Sequence, residues 1–116
     1  MLKKSLRIDR RGLEVFFSAR GGSKPRSFYG KIVAMRARRN NSTTNRFAFV
    51  VSGPKTRAAH LRNLARRRMA EAVRTMLKII PPGRDVVFFL KLNERKVPSF
   101  AALKEDIKNV ISQNIL

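Results

Sequence analysis

The chain has 116 residues, of which 27 are Lys or Arg and 7 are Asp or Glu, for a formal net charge of +20, and 43% of it is hydrophobic. That length holds one domain, 1–116, with a core of its own, and the charge excludes a cationic partner while asking for a polyanion to offset self-repulsion. The absence of cysteine excludes disulfides and thiolate metal sites, and no apolar run approaches a signal peptide or membrane span, so a soluble, cytoplasmic protein is expected.

Arg10 to Arg20 carries Leu13, Phe16, Phe17 and Arg20. The i, i+3, i+4 spacing from Leu13 predicts a short amphipathic helix, weakened at its start by Gly12 at a cost of about 1 kcal/mol relative to Ala. Gly21-Gly22-Ser23-Lys24-Pro25 ends it. Phe28 to Ala37 alternates as a strand, with Val33 and Met35 on one face and Ile32 and Ala34 on the other. Arg38 to Asn45 is polar and reads as a hairpin loop. Arg46 to Ser52 is the clearest strand, with Phe47, Phe49 and Val51 on one face and Ala48 and Val50 on the other. Two apolar faces predict a central strand covered on both sides.

Gly53-Pro54 breaks that strand. Ala58 to Ile80 predicts the longest helix, with a stripe of Leu61, Ala65, Met69, Ala72, Val73 and Met76. Pro81-Pro82-Gly83 ends it. Asp85 to Lys91 predicts a second buried strand. Ser99, after Pro98, predicts the N-cap of a last helix carrying Phe100, Leu103, Ile107, Val110 and Ile111. This order of elements predicts one mixed sheet with helices packed on it, and the strand, long helix and next strand form a crossover that the general rule makes right-handed.

The segment from Lys55 to Arg74, KTRAAHLRNLARRRMAEAVR, holds seven Lys or Arg and one acid, Glu71. A solvated helix face intersperses Glu to form i, i+4 pairs, and here that compensation is almost absent. At about 100° per residue, Asn63, Arg67 and Arg74 fall opposite the apolar stripe, with Arg68 near an edge. Arg62 and Arg66 project closer to the apolar side, where a buried charge without a partner is costly. This pattern predicts phosphate contacts more readily than it predicts stability.

At these residues the sequence resembles the protein component of bacterial ribonuclease P. RFAFVVS from Arg46 to Ser52 precedes the loop GPKTRAAHL, and then come Arg62-Asn63-Leu64-Ala65-Arg66-Arg67-Arg68. Pro82-Gly83-Arg84-Asp85 before the last strand, Ser99-Phe100 with Leu103, Asp106 and Ile107, and Leu6-Arg7 before Leu13 and Phe17 extend the resemblance over nearly the whole chain. Leu64 stands at the third position of the family's Arg-Asn-Arg motif, Gly53-Pro54 where lysines are usual, and Leu13 where Phe is common. The resemblance implies an α+β fold, an α-β-β-β-α-β-α two-layer sandwich with a mixed central sheet and a left-handed βαβ crossover, as in the second domain of ribosomal protein S5. It also implies a short extra strand near Ser23 to Arg26.

The resemblance further implies a ribonucleoprotein endonuclease, a hydrolase of tRNA processing, in which this chain is the non-catalytic subunit. Its partners would be the catalytic RNA, in a 1:1 complex with one protein monomer, and precursor tRNA. Arg57, Arg62, Asn63, Arg66, Arg67 and Arg68 would bind the catalytic RNA. Leu13, Phe17, Val33 and Met35 would wall a cleft for the 5′ leader, where apolar and aromatic surface packs on unpaired bases. Magnesium would be held mainly by the RNA. The residues themselves offer few catalytic parts. The seven acids are scattered, His60 is the single histidine and reads as a helix-start or RNA-contact residue, and no triad or metal-ligand spacing appears. Composition alone leaves open another basic, ribosome-associated RNA-binding protein, a membrane-surface protein or a stand-alone nuclease.

Overall fold

The structure, a computed structural model, describes residues 2, 4–18, 25–40, 42–53, 59–92 and 96–115. In chain order these form a 3-10 turn at Lys4–Leu6, helix α1 (Arg10–Ser18), strands β1 (Arg26–Tyr29), β2 (Val33–Arg39) and β3 (Arg46–Ser52), helix α2 (Ala59–Arg74), a 3-10 turn at Leu77–Ile79, strand β4 (Arg84–Lys91) and helix α3 (Phe100–Ile115). Asp9 opens α1, where its Oδ1 accepts the Gly12 N–H at 2.7 Å and its carbonyl accepts the Leu13 N–H at 3.0 Å. That cap offsets the weakness Gly12 introduces. Ser99 caps α3 as predicted, its Oγ accepting the Ala102 N–H at 3.1 Å. Phe100 departs from the expected stripe and stays exposed, while Leu103, Ile107, Val110 and Ile111 are buried.

The sheet differs from the sequence reading in three ways. The single strand expected over Phe28 to Ala37 is two antiparallel strands, β1 and β2, joined by a tight turn at Gly30 to Ile32. That β1 is the short extra strand, beginning at Arg26 rather than Ser23; Ser23 lies outside the described residues. Asp106 of α3 holds the turn. Its Oδ1 accepts the Lys31 N–H at 2.9 Å, and its Oδ2 accepts those of Ile32 and Val33 at 2.9 and 2.8 Å. A Cβ at Gly30 would collide with this carboxylate.

The second difference is that Arg38 to Asn45 makes no hairpin. The strand order is β1-β2-β4-β3, so β4 inserts between β2 and β3, antiparallel to the first and parallel to the second. The third is that β3 lies at an edge and β4 in the interior. Two apolar faces show that helices cover a strand above and below, and they do not specify a neighbour on each side. Its outer flank carries a parallel bridge between Arg7 and Phe47, with the Ile8 N–H donated to the Phe47 carbonyl at 2.8 Å.

One sheet face is covered throughout and the other in part. Phe47, Val51, Val33, Met35, Ala37, Val86, Phe88 and Leu90 pack with α2 and α3 in the main core. On the opposite face, Ile8, Phe16, Ala48 and Val87 form a smaller cluster with Leu13, Val50 and Phe89. Helix α1 thus covers β3 and β4 and leaves much of β1 and β2 open, with Ser27, Tyr29 and Arg36 exposed. One end of the sheet is locked by the buried Asp85. Its Oδ1 accepts from Arg46 Nε and Asn40 Nδ2, each at 3.0 Å, and its Oδ2 accepts from Arg46 Nη2 at 2.9 Å. That hydrogen bond, foremost, raises the Arg46 guanidinium above its ordinary pKa against the opposing desolvation. Gly83, at φ 78°, turns the chain into β4 where a Cβ would strike the Ser42 carbonyl.

Candidate nucleic-acid interface

Helix α2 presents the cationic surface. Ala65, Met69, Ala72 and Val73 are fully buried against the sheet, which turns Asn63, Arg67 and Arg74 to solvent as their spacing predicts. Arg62, Arg66 and Arg68 flank the stripe and are half-buried. His60, Asn63, Arg66 and Arg67 line a shallow surface groove with no carboxylate in its lining. Arg66 Nη1 donates to Asn63 Oδ1 at 2.8 Å, which fixes the guanidinium beside that groove. Glu71 takes Arg74, at 3.0 Å from Nε to Oε2, one turn away at the far end of the helix.

One of the expected contact residues stands apart from this group. Arg68 turns toward α3, where its Nη1 donates to the carbonyls of Val97 and Pro98 at 3.4 and 3.0 Å. It tethers the segment leading into α3 and leaves the groove to its neighbours. Arg57 lies outside the described residues.

The second surface is the open face beside α1. Leu13 is half-buried against the small cluster. Phe17 is 47% exposed, with its ring edge-on to Phe16 at 5.4 Å and tilted at 6.0 Å from Phe89. Val33 and Met35 do not belong to this wall. They are 2% and 1% exposed and point into the main core under α2 and α3. Strand alternation puts the other parity of β2, Ala34, Arg36 and Arg38, on the open face. Ala34 and Arg36 line a hollow with Ser27, Tyr29 and Phe89, and the nearly fully buried Met35 borders its floor; Tyr29 is 70% exposed.

Arginine and aromatic rings interleave along this face. The Arg36 guanidinium lies 5.7 Å over Phe89, and that of Arg38 lies 5.3 Å over Phe16. Arg38 carries a further burden, because its Nε and Nη1 are buried with no hydrogen-bond partner. The sequence held the signal for the correct parity. Arg36 and Arg38 alternate with Val33, Met35 and Ala37, and the parity that carries charge faces away from a core.

The family model for ribonuclease P matches residues 7–114. The chain belongs to the ribonuclease P protein family. Among solved structures, the ribonuclease P protein of Thermotoga maritima superposes with a TM-score of 0.73 at 23% identity, over 92% of this chain and 96% of that one. The ribonuclease P protein of Staphylococcus aureus does so with a TM-score of 0.73 at 18% identity, over 96% of each chain. The fold is therefore that of the ribonuclease P proteins, and the β3-α2-β4 crossover has the family's left hand instead of the right hand that the general rule favours. Curated proteins compared by sequence give no significant match.

Asp85 is engaged by Arg46 and Asn40, and Asp106 by three backbone N–H groups. Among the described residues, no three His, Asp or Glu side chains cluster as a metal site. Among them also, no helix is long and apolar enough to cross a membrane.

Proposed function

We propose that this chain is the non-catalytic protein subunit of ribonuclease P, acting by placement and charge neutralisation while the RNA subunit cuts the 5′ leader from precursor tRNA. Membership in the ribonuclease P family carries the reading. The carboxylate-free groove of α2 and the arginine–aromatic face beside α1 support it. Arg62, Asn63, Arg66 and Arg67 bind the catalytic RNA backbone, with Arg57 as a further contact. Arg68 contributes less, because it is tied to the segment before α3.

The single-stranded leader lies along Phe17, Tyr29, Arg36 and Phe89, where rings accept any base and guanidinium groups meet phosphates. Magnesium ions are held mainly by the RNA, and the active complex pairs one protein monomer with one RNA. Leu64 leaves one cation fewer at the helix start than an arginine would.

The test is reconstitution. Purified protein with precursor tRNA alone should yield no specific cleavage. Adding the ribonuclease P RNA of the same genome should give 5′ maturation at magnesium concentrations where the RNA alone is slow. Affinity for that RNA should fall steeply with salt as phosphates take back their counterions. Leu64→Arg should tighten binding and steepen the salt slope by about one phosphate equivalent. Preferential copurification with ribosomal RNA would instead identify a ribosome-associated protein.

A further inference from the structure

We infer that the apolar pocket between the N-terminal segment, β3 and α2 receives a single nucleobase turned out of the RNA stack; this rests on the RNA-binding reading above. Leu2, Arg7, Phe49, Arg66, Arg67 and Ala70 line about 180 Å³, and the lining is almost entirely carbon. The three arginines therefore give the pocket their methylene stems and hold their charged heads toward water. No carboxylate lines the pocket.

The walls are fixed before anything enters. Phe49 stacks on the buried Phe88 with ring centroids 5.7 Å apart and planes 10° from parallel. Arg7 is held at the edge of β3 by its bridge to Phe47. The occupant must be apolar in body and anionic at its flanks, since cations stand on both the N-terminal and the α2 side. A nucleotide within a polynucleotide meets both conditions: its base fills the cavity and its two phosphates face opposite walls. Arg66 and Arg67 also line the α2 groove, so the pocket continues the proposed RNA surface.

The probe is the in vitro transcribed ribonuclease P RNA of the same genome, modified at its base edges with dimethyl sulfate and carbodiimide with and without protein. Wild-type protein should protect one unpaired base. An abasic residue at that position should weaken binding about ten-fold, as expected for one stacked base. Ala70→Leu fills the cavity from within and leaves every arginine in place. It should lose the protection and about ten-fold in affinity at an unchanged salt slope, with no further loss on the abasic RNA.

Ala70→Leu binding and protecting like wild type would overturn the inference. So would the abasic change costing both proteins equally. Should Ala70→Leu fail to fold, the wild-type arm decides, because no protected base whose removal costs affinity also overturns it. A flat salt response in wild type sinks the RNA-binding reading itself, which is a different failure from a steep response without a protected base.

Discussion

Arg38 sets a ring contact against two buried donors. Its guanidinium rests on Phe16 with two nitrogens buried and unpartnered, and each such donor costs about 1–3 kcal/mol. Arg38→Met keeps the contact with the ring and removes the donors. It should raise the thermal midpoint by several degrees, read by calorimetry, while weakening binding of precursor tRNA relative to mature tRNA. Asp106 presents the reverse case, a carboxylate spent wholly on the fold. Asp106→Ala orphans the N–H groups of Lys31, Ile32 and Val33 and should cost about 3–5 kcal/mol in urea unfolding. Arg46→Ala leaves the buried Asp85 carboxylate without its bidentate partner and should cost about 3 kcal/mol in the same assay.

Helix α2 separates two kinds of arginine that the sequence lists side by side. Arg67→Ala should lower the salt slope of RNA binding by about one phosphate equivalent and leave the melting temperature unchanged. Arg68→Ala should do the converse, since it releases the carbonyls of Val97 and Pro98. Adjacent positions about 100° apart reach different surroundings, and spacing alone placed Arg68 only near an edge. The helices were legible because caps and apolar periods are local signals: Ser99, and the buried Ala65, Met69, Ala72 and Val73; α2 stops short of the expected Ile80, because the helix ends at Arg74 and a separate 3-10 turn covers Leu77–Ile79. The sheet was less so. Strand pairing is decided between residues as distant as Arg46 and Asp85, and periodicity carries no record of it. The break at Gly30 depends on a carboxylate supplied by α3. The expectation that Val33 and Met35 wall the leader cleft weighs hydrophobicity alone; the charge on the other parity, Arg36 and Arg38, turns Val33 and Met35 into the main core.

At the scale of the whole molecule, the +20 charge makes the free protein and its complex respond to salt in opposite senses. Added salt screens self-repulsion and should raise the melting temperature of the free protein, while the same salt weakens RNA binding. Parallel melting and binding titrations in potassium chloride check both slopes. The sheet's faces divide the labour. One buries the main core against α2 and α3, and the other is half given to α1 and half left open. The clasp between Asp106 and the turn at Lys31 also imposes an order on biosynthesis. The first antiparallel pair of strands waits for a residue made 73 positions after Val33. A nascent chain still lacking α3 therefore emerges with that pair unfastened, and the turn between β1 and β2 is held only once α3 has been made.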